Sequence, residues 1–203
     1  WFIRPEVNWA GEEFCHMNTV NDVEPIIETE RLLLRPVEPQ DLEAFCAMMM
    51  TPEVARFLTT DKKPQSYANA GRGCALMIGH WQIHGLGMFS MIEKETGDWV
   101  GRTGPWMPGG WPGLECGWGV VAERWGKGYA PEAAIASIRW IFHKYPDLSR
   151  IISVIDPENH GSQAVARKVG ERETDDTFLF DEKLELKIWA ANREEWFDTF
   201  GAN

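Results

Sequence analysis

The chain has 203 residues, about 1.4 times a domain of roughly 150, so one domain is favoured over two. Hydrophobic residues make up 44% and charged residues 25%, which excludes wholesale disorder. The formal net charge of −11 is the wrong sign for non-specific nucleic-acid binding and suits a cationic partner better, while no apolar run approaches the roughly 18 residues of a membrane span.

Four cysteines (Cys15, Cys46, Cys74, Cys116) show no CxxC spacing, and no basic-then-apolar leader opens the chain. The expectation is a cytoplasmic protein with reduced thiols. Trp1 is not an initiator, and Met17 precedes the first stretch that reads as folded. Residues 1–24 read as an N-terminal extension, either partly foreign to the natural chain or packing Trp1, Phe2 and Trp9 on the body. Residues 25–203 read as a single domain.

Residues 31–36 (Arg-Leu-Leu-Leu-Arg-Pro) read as a short strand stopped by a proline that cannot donate to a ladder. A helix over 41–50 follows, with Leu42, Phe45 and Met49 on one face. Thr51-Pro52-Glu53 restarts a second helix, with Thr51 as cap and Pro52 in its first turn. A third helix is expected over about 65–84. Strands follow over 87–94, 99–106 and 114–121, the first two joined by the turn Glu95-Thr96-Gly97-Asp98. Then come a helix over 131–143, a strand over 151–155, and a helix over 160–169 stopped by Gly170. Two last strands are expected over 177–180 and 184–190. The fold class is mixed α/β, with a mostly antiparallel central sheet flanked by helices.

The segment Trp125-Gly126-Lys127-Gly128-Tyr129-Ala130-Pro131 lies between a strand and a helix start. Glycines let a ligand approach the backbone, and a helix N-terminus presents unpaired N–H groups with partial positive charge, a combination that cradles phosphate. A P-loop would need Ser or Thr after Lys127, and a dinucleotide fingerprint would need glycine at Pro131, so neither motif is present. A plain strand-to-helix turn remains the alternative on spacing alone. In the preceding strand Glu115, Gly117, Gly119 and Val121 share one face, and Leu114, Cys116, Trp118 and Val120 the other. The alternating glycines imply a groove with room for a thin, linear ligand, an acid at one end and the phosphate cradle at the other.

Residues 114–136 resemble the acetyl-CoA-binding core of the Gcn5-related N-acetyltransferases (GNAT), most closely the branch containing the ribosomal-protein alanine N-acetyltransferases. The family signature of Gln or Arg, two residues, Gly, one residue, then Gly or Ala falls on Trp125 through Ala130, with Trp125 replacing the usual Gln or Arg. Residues 28–35 resemble the family's opening strand, and Asp156-Pro157-Glu158-Asn159-His160-Gly161-Ser162 its Asn-x-x-Ser loop. The resemblance implies direct acetyl transfer from acetyl-CoA, a co-substrate, to a primary amine, with no metal. It implies that backbone N–H groups of Gly126, Lys127, Gly128, Tyr129 and Ala130 hold the pyrophosphate and that Val120 and Val121 pair with the pantetheine arm. Asn159 stands at the position of a cofactor-bonding residue, Ser162 at that of the general acid, and Glu115 at that of the base. Asn159 or Ser162 could equally cap the next helix. A free glutamate is too acidic for this work unless burial raises it, and Trp106, Trp111 and Trp118 could supply that burial and contact substrate.

Other groups are weaker. Cys74, His80 and His84 could suggest a metal, with the histidines four apart, but no fourth ligand is evident; Cys116 faces away from the groove, and His143 and His160 read as structural or solvated. The aromatic loop and the negative charge point to a cationic acceptor: an antibiotic, a polyamine or a protein N-terminus. Aspartates 98, 175 and 176 are expected near the pocket mouth. Antibiotic resistance is one role this admits, a second copy of the chain is a candidate partner, and a non-catalytic acyl-CoA-binding module is the competing class.

Overall fold

The computed structural model describes residues 25–180 and 182–201; Cys15 and the expected packing of Trp1, Phe2 and Trp9 lie outside them. Eight strands form one sheet: β1 (Ile27–Glu28), β2 (Leu32–Pro36), β3 (Phe89–Glu93), β4 (Trp99–Trp106), β5 (Glu115–Val120), β6 (Arg150–Ile155), β7 (Arg172–Phe180) and β8 (Leu184–Asn192). Their spatial order is β1-β2-β3-β4-β5-β6-β8-β7. All neighbours are antiparallel except β5 and β6. The helices are α1 (Leu42–Met50), α2 (Pro52–Leu58), α3 (Tyr67–His84), α4 (Tyr129–Lys144), α5 (His160–Lys168) and α6 (Arg193–Phe200). None is long and apolar enough to cross a membrane.

The parallel pair positions the site. β4 and β5 pair over six residues, whereas β5 and β6 pair at Glu115↔Ile152, with the Ile152 N–H donating to the Leu114 carbonyl at 3.1 Å. Beyond that point side chains bridge the strands. Ser153 Oγ donates to the Cys116 carbonyl at 2.8 Å, and the Val154 N–H reaches Glu115 Oε1 at 3.4 Å. A parallel connection needs a crossover element, and α4 is that element. It buries Ala134, Ile138, Ile141 and Phe142 against Leu114, Cys116 and Ile151 on one side of the sheet. The opposite side carries α1, α2 and α3, with Phe45, Met48, Val54, Cys74 and Met77 packed around Met88. A fully buried side chain of this kind contributes about 1.5–3 kcal/mol, so these two layers hold the sheet between them.

Three expectations need correction. α4 begins at Tyr129, two residues before Pro131; proline fits there because the first four N–H groups of a helix have no acceptor within it. β7 starts at Arg172 rather than 177, its exposed polar half held in the ladder by Arg172↔Ala190 and Glu173↔Trp189 around a bulge. Helix α6 was not expected. It is anchored by Trp196, 2% exposed, whose Nε1–H donates to the Val169 carbonyl at 2.8 Å.

Candidate active site

The turn before α4 is built to leave backbone donors open. Gly126 and Gly128 adopt φ values of +75° and +84°, the left-handed region that side chains resist. The N–H groups of residues 126–130 find no acceptor among the described residues. A Cβ on Gly126 would meet nothing within 4 Å, so the approach is clear; one on Gly128 would stand 3.4 Å from Arg31 Nη2. Arg31 anchors the turn from below. It donates to the Lys127 carbonyl at 2.8 Å and forks onto Glu132 at 2.6–2.7 Å. The Tyr129 ring is buried, bonded to Glu93 and stacked beneath the Arg31 guanidinium, so only its backbone faces the turn's concavity.

A cleft of about 520 Å³ runs from this turn between the end of β5 and α5, lined by Gly119, Val120, Trp125, Gly126, Gly128 and Ala130 among others. Val121 donates its N–H to Val100 on β4, so by the alternation of an antiparallel ladder Val120 turns its own polar groups toward the gap. There Trp125, half exposed, donates its indole N–H to the Val120 carbonyl at 2.8 Å. Lys127 and Val121 line neither cavity.

A second cavity of about 260 Å³ lies under α1 to α3 and contains Glu115, Trp106, Trp111 and Trp118. The two cavities share Phe57, Leu58, Trp118, Asn159 and Ser162 as a common wall. Asn159 is the cap of α5, its Oδ1 accepting the Ser162 N–H at 3.0 Å. Ser162 is not a cap: its Oγ accepts the Trp118 indole N–H at 3.2 Å, and its own proton has no acceptor among the described residues.

Glu115 is 8% exposed, and burial pushes its carboxyl up to about 7 despite the Trp111 indole N–H at 2.5 Å, the Val154 N–H and the Arg102 charge, which all favour ionisation. Trp111 is itself wedged against Phe178 and Phe180, with ring centroids 5.1 and 5.3 Å away. Behind the gap lies a second acid that sequence reasoning missed. Glu171 is 2% exposed and bonded to Ser153 Oγ at 2.8 Å. Ser153 has one proton for two acceptors, Glu171 and the Cys116 carbonyl, and a protonated Glu171 satisfies both. Burial and the nearby Glu115 charge hold it well above the ordinary carboxylate range, which agrees.

The expected groove over Gly117 and Gly119 is divided between the two cavities: Gly117 lines the one that holds Glu115, and Gly119 the one that begins at the turn. A Cβ on Gly117 would stand 2.6 Å from Met88 Cε, and one on Gly119 would stand 3.4 Å from Leu58 Cδ1 and 3.9 Å from Arg102 Cγ. The Met88 methyl fills the space above Gly117, while Gly119 keeps ordinary contact distances to its neighbours. Aspartates 98, 175 and 176 line neither cavity, and Asp98 and Asp176 pair with Arg124 (3.1 Å) and Arg150 (3.6 Å). His80 is committed to backbone: with its proton on Nδ1 it donates to the Leu86 carbonyl (2.8 Å) and accepts from the Met107 N–H (3.4 Å). Burial pushes the Cys116 thiol up, which disfavours a thiolate nucleophile.

Residues 31–172 match the Acetyltransferase (GNAT) domain. The chain is 33% identical over 133 residues to the N-acetyltransferase p20 of Bacillus licheniformis, spanning 64% of this chain and 73% of that one. Among solved structures, an acetyltransferase from Agrobacterium tumefaciens is 26% identical with a TM-score of 0.73, covering 86% of this chain and 98% of its own. The ribosomal-protein-S5-alanine acetyltransferase of Vibrio fischeri shares the fold at 16% identity and a TM-score of 0.63, covering 85% and 99%. With a match over most of the chain, a splayed parallel pair and an open turn at the following helix, the chain belongs to the GNAT family of acetyltransferases.

Proposed function

We propose that acetyl-CoA occupies the longer cleft, that a primary amine enters the second cavity, and that the two react directly at the shared wall in a ternary complex. The observation that carries this is the pair of cavities meeting at Trp118, Asn159 and Ser162 with a buried carboxyl on the amine side only. Acetyl-CoA supplies an activated acyl group; the chain supplies placement and proton transfer. The turn's five free N–H groups match the pyrophosphate, and the Asn159 amide and the Val120 edge match the pantetheine arm.

An incoming amine is protonated near neutral pH. Glu115, held near 7, is poised to take that proton directly or through water, whereas an ordinary glutamate would be too weak a base. The freed lone pair forms the N–C bond as the C–S bond breaks and its electron pair leaves on sulfur. The amine's second proton goes to that sulfur, relayed by Ser162, whose Oγ–H is available because the Trp118 indole already serves its lone pair. The balance is one amide, one thiol and one proton released to solvent. A net charge of −11 draws cationic amines from solution, whether antibiotic, polyamine or protein N-terminus. That field fades over about 8 Å, so final selection falls to the groups lining the cavity. A cytoplasmic setting fits the buried free thiols of Cys46, Cys74 and Cys116.

The test is thiol release from acetyl-CoA across a panel of amines. Release that depends on both substrates supports transfer. Tight acetyl-CoA binding with no release on any amine would mark a non-catalytic acyl-CoA module.

A further inference from the structure

Arg102 enters the amine cavity from β4, opposite Gly119 on β5. Its Nε is buried without a hydrogen-bond partner, its Nη1 contacts only the Met88 sulfur at 3.4 Å, and it forms no ion pair within 4 Å among the described residues. A guanidinium presents five donors and stays charged, so leaving them unanswered in a mostly apolar cavity is costly. Desolvation depresses it to about 10, and the nearby Glu115 charge offsets this only in part. Position completes the picture: the point where a Gly117 Cβ would stand lies 3.5 Å from Glu115 Oε1 and 3.8 Å from Arg102 Nη1. The Met88 methyl, a flexible side-chain end, fills that point at 2.6 Å, so the proton acceptor and the guanidinium border one small region that a ligand enters by displacing it. The rest of the wall is apolar, with Phe45, Leu76, Met77 and Met88.

We propose that the acceptor is a small α-amino acid with an apolar side chain, its carboxylate held by Arg102, its amine presented to Glu115 and its side chain seated among Phe45, Leu76 and Met77. This rests on the acetyl-transfer reading and replaces its cationic acceptors with a zwitterion. A carboxylate accepts two parallel N–H bonds from a guanidinium, which fixes the orientation of the carbon that also carries the amine. A cavity of about 260 Å³ holds a molecule of this size. Polyamines, aminoglycosides and protein N-termini carry no carboxylate beside the reacting amine, and the first two bring further positive charge against the guanidinium.

The experiment compares leucine and phenylalanine with their amides and with the corresponding decarboxylated amines, in wild type, Arg102→Lys and Arg102→Met. It reads thiol release and, separately, quenching of tryptophan fluorescence by each compound in the presence of CoA, since Trp111 and Trp118 line the cavity. The acids should exceed the amides and amines in kcat/KM by about 10- to 100-fold, the worth of a charge-assisted hydrogen-bond pair. Arg102→Lys should keep part of that preference and Arg102→Met none. Wild-type turnover of amides or simple amines as fast as the acids overturns the proposal, and this comparison needs no mutant to fold. If nothing is turned over, quenching by the acids alone, lost in Arg102→Met, upholds the carboxylate site and removes the acetyl-transfer reading. Absence of both turnover and quenching with the acids overturns the proposal itself.

Discussion

Replacing Glu115 with Gln should weaken catalysis and, at the same time, remove a pH-dependent loss of stability. In the folded protein burial lifts this carboxyl from its ordinary 4.5 to about 7. The unfolded chain ionises it freely near the ordinary value, so the folded state is favoured fully below about pH 4.5 and loses that advantage as pH rises through 7. At about 1.4 kcal/mol per unit, the loss between pH 4 and pH 8 is about 3 kcal/mol. Glutamine does not titrate. It does present an NH₂ to one of the two N–H donors, from Trp111 and Val154, that the carboxylate accepts, which costs about 1–3 kcal/mol at every pH. The absolute stabilities of the two proteins are therefore less informative than their difference as pH changes. Urea denaturation of both at pH 4 and pH 8 measures that difference, expected to shift by about 3 kcal/mol in favour of the mutant. In the same preparation kcat/KM at pH 7 should fall by roughly 10²- to 10⁴-fold, with a smaller deficit at high pH where the amine deprotonates unaided. Parallel loss of stability in both proteins would mean that Glu115 is already ionised when folded, and its assignment as a tuned base would fail.

Gly128→Val should weaken acetyl-CoA binding by at least tenfold in calorimetry, because a β-branched residue resists a φ of +84° and its Cβ would press on Arg31; equal affinity in a folded mutant would refute the turn's assignment. Ser162→Ala should lower kcat about tenfold, at the weak end for a general acid because a thiolate leaves readily, with acetyl-CoA affinity unchanged. A parallel loss of affinity would make Ser162 a packing residue. Trp125→Phe removes the indole bond to the Val120 carbonyl, freeing that acceptor for the pantetheine arm, so acetyl-CoA should bind as tightly or up to about fivefold more tightly, the worth of one neutral hydrogen bond. Weaker binding would show that the indole helps hold the cofactor.

The legible parts of the fold are those where local pattern and tertiary role agree. β4 ends where expected because turn residues precede it and a Pro/Gly loop follows Trp106. The third helix begins at a Ser66 cap and ends at Gly85 in the left-handed conformation, both local signals. The first half of β7, Arg-Glu-Thr-Asp-Asp, carries no hydrophobic alternation at all. Its extended form comes from pairing with β8, information that lies in another segment. α6 hides for a similar reason: its opening is Arg-Glu-Glu, and its anchor is one tryptophan whose hydrogen-bond partner, Val169, lies 27 residues away.

The site divides along the same line. Glu115 could be found because an acid beside alternating glycines, before a glycine turn, is unusual within a single strand. Arg102 could not be found that way. In Gly101-Arg102-Thr103 an arginine between a glycine and a threonine reads as a solvent-facing strand residue, the commonest fate of that side chain. What turns it into a cavity group is the register Arg102↔Gly119 and the absence of a side chain at Gly117 as well, so that the guanidinium lies across β5 toward Glu115. The glycines leave room along β5, which Met88 and Arg102 share with the two cavities. Spacing within one strand identifies a vacancy; only the pairing between strands says what fills it. Here one neighbour is a charge, and if Arg102 holds a carboxylate as proposed, the cavity's preference moves from cations in general toward a molecule carrying both signs.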